Sequence, residues 1–332
     1  MATEPSELRP ARVRVPASTS NLGSGFDCLG LAIARYLDAE YEPGGAALRL
    51  ELGGTLAALR TAAEDDILAR AFRARLAAHG VSGACGTIRA SSDIPLSRGL
   101  GSSAAAVVAG LALADAAASK LKYDGHPETP GPALALAPAL AHHAEWLALA
   151  TELEGHPDNA APAILGGLVA VVRDAAGRPR AVPLPLSPDV GFAFAAPGAG
   201  VSTSAARQAL PAEVPHHVAA RALGRLAALL HGLAVADPEL IRSGFADELH
   251  VPYRLPLIPG AREAMEAAHA AGAWAVTISG SGSGLIAACM PTRAADVAAA
   301  MVDAFRRAAS PEGVVHFEAR PAIQGVRVEL GR

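Results

Sequence analysis

Residues 94–111, IPLSRGLGSSAAAVVAGL, are the stretch on which the assignment of this chain turns. Gly99, Gly101, Ser102 and Ser103 stand where a loop should become an apolar helix. The start of a helix presents unpaired backbone N–H groups and a partial positive charge, which suits a phosphate. Small residues let the phosphate oxygens approach the backbone closely. The stretch has no GxxxxGK[ST] pattern and no lysine, and its glycines lack the GxGxxG spacing, so neither a P-loop nor a dinucleotide fold follows. Something else must neutralise the charge: dipoles, serine hydroxyls and a metal ion held by a carboxylate. Glycine-serine loops also precede buried helices without any ligand, so the loop alone leaves both readings open.

Three further stretches tilt the balance. VPASTSNLGSGFDCLGLAI (15–33) places Asn21, Gly23, Gly25 and Asp27 in a polar turn after a strand. ELEGHPDNAAPAILGGL (152–168) concentrates Glu152, Glu154, His156, Asp158 and Asn159. TISGSGSG (277–284) is a second glycine-rich turn and contains Gly280. Each has a bland local reading: Asn and Asp form turns, two glutamates end a helix in solvent, a histidine before proline caps it. Four such stretches in one chain, in this order, are hard to explain as coincidence.

Bulk composition narrows the class. The chain has 332 residues, 51% hydrophobic and 18% charged, a globular composition long enough for two domains. A net charge of −4 advertises no basic face, so a nucleic-acid partner is not expected. Lysine occurs only at 120 and 122, and arginine carries the rest of the positive charge. Cys28, Cys85 and Cys289 lie far apart with no CxxC and no Cys/His cluster, which speaks against zinc and for a reducing cytoplasm. The start, MATEPSELRP, lacks an apolar signal core, and the longest apolar run, after Ser103, is interrupted by Asp115. A cytoplasmic protein without a membrane partner is therefore expected.

Along the chain, residues 1–10 read as a flexible tail, and 11–18, 47–54 and 86–95 as strands. Helices are expected over 65–80, 102–120 and 139–155, with a Pro/Gly surface loop at 126–138. A glycine pair then leads into a strand ending near 174, and 189–198 is another strand. Helices follow at 201–211, about 214–235, 238–248 and 262–273. The chain closes with strand-loop-strand (275–289), a helix (294–308) and strands at 313–322 and 325–330. The mixture is α+β, dividing near 165–190 into an N-terminal domain, 11–168, and a C-terminal domain, 169–332.

Residues 94–111 resemble the ATP loop of the GHMP kinase superfamily, and residues 16–33 and 154–167 resemble the signature stretches of its homoserine kinase family. PGAGVSTSAARQALP (197–211) and VPYRLPLIPG (251–260) resemble other segments of that family. The likeness extends over residues 12–310. It implies an N-terminal ribosomal-S5-like domain, a ferredoxin-like C-terminal domain, and ATP with Mg²⁺ bound between them. By this resemblance Pro95, Leu96, Arg98, Gly99, Leu100, Gly101, Ser102, Ser103 and Ala104 surround the nucleotide. Glu154 is the metal carboxylate, with Ser103 as its partner and Glu152 as the alternative ligand.

The same resemblance implies L-homoserine as the small-molecule acceptor and a homodimer as the assembly. Arg207 and Arg254 suit its carboxylate, because guanidinium forks match carboxylates geometrically. Asp27 suits the ammonium, and Asn21, His156, Asn159, Thr203 and Gly280 complete the shell. Where related kinases carry an aspartate base, this chain has Asn159, which implies in-line attack without a strong base. Asp158 is the runner-up base, or else a residue whose hydrogen bond fixes the loop. Two positions depart from the family pattern: Ser24 replaces a proline, and Ser283-Gly284 replace Pro-Thr. The alternatives are a kinase for another hydroxy amino acid such as threonine, and a catalytically silent ligand-sensing relative.

Overall fold

The polar-apolar alternation that begins at Ala11 produces the first strand, and the strand becomes fully buried from Val15 onward. In the computed structural model, which describes residues 8–118, 137–308 and 312–330, the N-terminal domain is built on a seven-stranded sheet. Its elements are β1 (Ala11–Ser20), β2 (Leu29–Pro43), β3 (Leu48–Gly54), α1 (Ile67–Ala78), β4 (Gly86–Ser92), α2 (Ser102–Ala117), α3 (Ala137–Glu154), α4 (Ala160–Leu165), β5 (Leu168–Arg173) and β6 (Pro179–Leu184).

The C-terminal domain has β7 (Gly191–Ala196), α5 (Thr203–Gln208), α6 (His216–Val235), α7 (Pro238–Phe245), α8 (Val251–Arg254), α9 (Ala261–Ala270), β8 (Ala275–Ile278), β9 (Leu285–Cys289), α10 (Ala294–Ala308) and β10 (Val315–Glu318). The last strand, β11 (Arg327–Leu330), returns to pair with β1.

In the first sheet the order is β11-β1-β2-β4-β3, with β5 on β2 and β6 on β5. Only β3 and β4 run parallel, and their connection passes through α1 as parallel pairing requires. The second sheet, β10-β7-β9-β8, is antiparallel throughout. Counting its strands along the chain, the order is fourth-first-third-second, the ferredoxin-like arrangement, with α9 and α10 packed against it. From Ala104 to Ala117 every residue of α2 is buried. This apolar rod lies beneath β1 and β2 and against α1, and its first turn faces the junction of the domains.

Several expectations are corrected. The division at 168/169 would cut β5 from its sheet; β5 and β6 pair with β2, and the chain leaves the first sheet only after Leu184. Residues 8–10 are not free tail: Leu8 is buried, and the Arg9 N–H donates to the Ala117 carbonyl at 3.0 Å. Residues 1–7 and 126–136 of the expected tail and loop lie outside the described residues. β6 contains Pro179 and Pro183, which hide its period; it survives because it is an edge strand, where a missing N–H is tolerated. α6 is long and apolar enough by composition to cross a membrane. It packs through Leu229, Gly232 and Leu233 against α7, and its Arg221 and Arg225 both pair with Glu248.

Candidate active site

α2 begins at Ser102, after Gly101 has turned the backbone into the left-handed region at φ +62°. A Cβ on Gly101 would fall 2.3 Å from Ser18 Oγ and 2.8 Å from Asn159 Oδ1. Gly99, at φ +75°, lies closer still to its neighbour: a Cβ there would stand 1.9 Å from the Ser279 carbonyl oxygen. The loop is thus wedged between the end of β1 and the turn after β8. Ser279 Oγ donates to the Gly99 carbonyl at 2.7 Å and shares a hydrogen bond with Thr19 Oγ1 at 2.8 Å. The Gly280 N–H donates to the Ser20 carbonyl at 2.9 Å. Two domains therefore hold one loop, and the open N–H groups of α2 face the space between them.

At the end of α3, Glu154 Oε1 accepts a hydrogen bond from Ser103 Oγ at 2.5 Å. Glu152 is exposed, so of the two glutamates only Glu154 makes this contact. A hydroxyl beside a carboxylate is a pair of hard oxygen donors, the type Mg²⁺ takes. Arg98 does not turn its guanidinium to the helix start. It donates to the carbonyls of Leu96 at 3.2 Å and Ser97 at 3.3 Å, and to that of Gly198 across the domain junction. Burial lowers its pKa. Beside the loop lies a cavity of ≈200 Å³ lined by Leu52, Leu56, Leu59, Ile67, Leu96 and Ala106, with Ser102 and Ser103 at its edge. The first four of these aliphatic residues carried no chemical signal in the sequence.

The other side of the cleft gathers polar groups from five segments. Asn21 and Asp27 both have left-handed backbone, at φ +58° and +53°. Asn21 Oδ1 accepts the Asp27 N–H at 2.8 Å, and its Nδ2 donates to the Gly280 carbonyl at 3.1 Å. Arg207 grips Asp27 with both Nη atoms, at 3.1 and 3.2 Å. Arg254 is only 2% exposed, and its guanidinium donates to the carbonyls of Ala206 at 3.1 Å and Gly280 at 3.4 Å. It lies 5.1 Å from the centroid of the Phe26 ring. Burial lowers its pKa, partly offset by Asp27. Among the described residues none of its hydrogen bonds goes to a carboxylate; Asp27, Asp158 and Asp247 act on it only through space, so its guanidinium has capacity for a directly bonded anion.

His156 Nδ1 and Asp158 Oδ1 are 2.9 Å apart, and the same oxygen accepts the Asn159 N–H at 3.0 Å. Burial pushes the Asp158 carboxyl up, but the His156 hydrogen bond and charge, Ser20 and Arg207 outweigh it and hold the group below the usual carboxylate range. The same hydrogen bond raises the His156 pKa against burial. Asn159 uses one acceptor site and one donor of its amide: Oδ1 accepts from Ser18 Oγ at 3.0 Å and Nδ2 donates to Ser20 Oγ at 2.9 Å, which leaves a second N–H. Thr203 sits exposed at the rim, 3.4 Å from Ser281 Oγ. These contacts link Asn21, Asp27, Arg207, Arg254 and Gly280 to one another, and Asn159 to the end of β1 beside Gly101. Sequence reasoning missed Phe26 and the buried hydroxyls Ser18, Thr19 and Ser20. A run of three polar residues ending a buried strand was the available signal.

Comparison with known proteins accords with this architecture. The family description "GHMP kinases N terminal domain" matches residues 62–167, and "GHMP kinases C terminal" matches residues 219–307. The chain is 39% identical over 303 residues to a homoserine kinase of Thermus thermophilus, covering 91% of this chain and 93% of that one. It is 41% identical over 298 residues to a homoserine kinase of Moorella thermoacetica, covering 89% and 92%. Among solved structures, a homoserine kinase from Cytophaga hutchinsonii superposes with a TM-score of 0.77 at 26% identity, covering 96% of this chain and 97% of that one. A mevalonate kinase from L. major shares the fold at 15% identity, with a TM-score of 0.64, covering 93% and 95%.

Proposed function

The chain belongs to the GHMP kinases, and from that premise we propose that it transfers the γ-phosphoryl group of ATP to the hydroxyl of L-homoserine, giving O-phospho-L-homoserine. The observation that carries this reading is the buried Arg254 guanidinium, hydrogen-bonded among the described residues to carbonyls and to no carboxylate, beside a phosphate-type helix start. A carboxylate-bearing acceptor supplies a directly bonded anion, and Asp27 offers a counter-charge for an ammonium group.

Gly99, Gly101, Ser102 and Ser103 cradle the phosphates, and the aliphatic cavity beside them takes the base. Glu154 and Ser103 hold Mg²⁺, which when bound supplies the charge neutralisation that a lysine gives elsewhere. Arg207 and Arg254 orient the acceptor carboxylate, and Asn21, Asn159 and His156 complete its hydrogen bonds. The acceptor hydroxyl oxygen bonds to the γ-phosphorus as the bond to the ADP oxygen breaks, and the hydroxyl proton leaves to a phosphoryl oxygen. Asn159 has no basic group to take that proton. Asp158 is engaged by His156 and the Asn159 N–H, so it fixes the loop rather than acting as a base. Catalysis then rests on positioning and charge, as phosphoryl transfer allows. A homodimer in the cytoplasm belongs to the same reading, and light scattering checks the assembly.

The test is ADP release from Mg-ATP with L-homoserine, L-threonine, L-serine and mevalonate compared side by side. Selective turnover of L-homoserine is expected, with Arg254→Lys raising its KM by about 10- to 100-fold, the worth of charged hydrogen bonds lost at one site. Selective turnover of L-threonine would keep the kinase and replace the acceptor. ATP binding without turnover of any acceptor would overturn the enzyme reading. The intact Ser103–Glu154 pair stands against that outcome.

A further inference from the structure

His250 is fully buried outside the shell described above, yet it touches the loop that carries Asn21 and Asp27. Its Nε2 lies 3.1 Å from the Gly23 carbonyl, which can only accept, so the ring proton sits on Nε2 and donates. The imidazole stacks on Phe26 with centroids 5.2 Å apart and 22° between the planes. His250 precedes α8, and Arg254 ends it, with the Arg254 N–H donating to the His250 carbonyl at 3.0 Å. The backbone at this corner is set by the buried Asp247, whose carboxylate accepts N–H groups from Leu249, His250 and Val251 at 2.7 to 3.0 Å. Across from it, the Ser24 N–H donates to the Gly244 carbonyl at the end of α7, at 2.9 Å.

Ordinary core packing does not account for an imidazole here. Nδ1 is buried and finds no partner among the described residues, a cost that a phenyl or leucyl side chain would avoid. What the imidazole provides is an N–H for the carbonyl of Gly23, in a loop where residues 21, 23 and 27 all have positive φ. Such backbone persists only where its surroundings over-determine it. Burial and the nearby Arg254 charge both lower the His250 pKa, while Asp247 and backbone hydrogen bonds to Gly23 and Asn21 oppose them.

We infer that His250 is a positioning residue for the acceptor: its Nε2–H and ring latch loop 21–28 of one domain to α8 of the other, bringing Asn21, Asp27 and Arg254 to one point. The inference rests on the proposed acceptor reaction and adds a residue that does not touch either substrate. Its test compares His250→Ala, His250→Phe and His250→Gln with the unsubstituted chain, reading kcat and the two KM values separately. His250→Ala should raise KM for L-homoserine about tenfold with KM for ATP and kcat within about threefold, the signature of lost ground-state binding of one substrate. Glutamine, which keeps an N–H at similar reach, should recover most of the loss, whereas phenylalanine, which keeps only the ring, should not.

Equal KM values in all variants would overturn the inference, as would parallel rises for both substrates or rescue by phenylalanine and not glutamine. Should His250→Ala fail to fold, the glutamine-phenylalanine pair decides alone. Absence of L-homoserine turnover in the unsubstituted chain would instead overturn the acceptor reading, and this inference with it.

Discussion

The two halves of the cleft are built differently. The side proposed for the nucleotide is centred on one continuous stretch, loop 94–101 and the first turn of α2, to which Glu154, Ser279 and aliphatic residues between 52 and 67 are added. The acceptor side has no such core. Asn21, Asp27, His156, Asn159, Arg207, Arg254 and Gly280 come from both domains and meet through different contacts: the Gly280 carbonyl accepts from both Asn21 and Arg254, Arg207 pairs with Asp27, and His156 and Asn159 share the Asp158 carboxylate. A phosphate needs backbone N–H groups, which one helix start supplies in bulk. A zwitterionic amino acid needs opposite charges at fixed separations, which no short peptide presents. The contrast implies that the nucleotide side should fail through local changes of geometry, and the acceptor side through loosening of the domain junction.

The largest expected effect tests the place where the two halves touch. Gly99→Ala should cost about 4 kcal/mol of stability, combining strain at positive φ with a clash against a backbone wall at Ser279. Urea unfolding measures this, and a loss below about 1 kcal/mol would show that the loop is not wedged between the domains.

Next comes the carboxylate. Glu154→Gln should lower kcat by about 10²-fold at saturating ATP, the usual scale for one electrostatic contact to developing charge. Glu152→Gln, on an exposed side chain, should leave kcat within twofold. Equal losses from the two would erase the distinction between them, and a Mg²⁺ titration of each variant reads the same difference directly.

An acid-stability measurement sharpens the comparison along α3, the helix that ends at Glu154 and leads into the acceptor residues. His143 on this helix is held down to about 4, chiefly by burial and secondarily by His142. Its folded pKa lies below its unfolded value, so between about pH 4 and 6.5 the unfolded chain binds the extra proton. Stability should therefore fall as pH drops through that window, by about 2 kcal/mol once partial solvent access is allowed for. His143→Leu should flatten the slope of urea stability against pH, and an unchanged slope would remove His143 as its source.

The smallest effect concerns Ser24, where the family pattern has proline. Its N–H donates to Gly244, a bond that proline cannot make, while its buried Oγ has no partner among the described residues. Ser24→Ala keeps the N–H and removes the unpaired hydroxyl, so a gain of about 0.5–1 kcal/mol is expected from thermal unfolding.

Much of this was legible from residue order. The helix start after Gly101 follows from small residues before an apolar run, and the corner residues of the acceptor loop from Asn, Gly and Asp in sequence. The fifteen-residue β2 was not legible, because its first half continues a glycine-rich motif and its alternation becomes regular only later. Nor was the return of β11 to β1, since a strand carries no mark of which distant strand completes its hydrogen bonds. The aliphatic cavity beside the phosphate loop escaped for a similar reason: Leu52, Leu56 and Ile67 look like any core residues until the space between them is seen.

By itself the sequence determined the phosphate-type helix start, the two-domain α+β plan and the set of polar residues available to an acceptor, because these depend on local backbone preferences and residue chemistry. Only the tertiary structure decided that Arg207 is paired with Asp27 while Arg254 is buried against the carbonyls of Ala206 and Gly280, that Glu154 rather than Glu152 reaches Ser103, and that His250 Nε2 meets the Gly23 carbonyl. Those choices depend on distances between segments far apart in the chain. Such distances are set by how the two sheets and the buried α2 pack together, and local preferences along the sequence do not encode them.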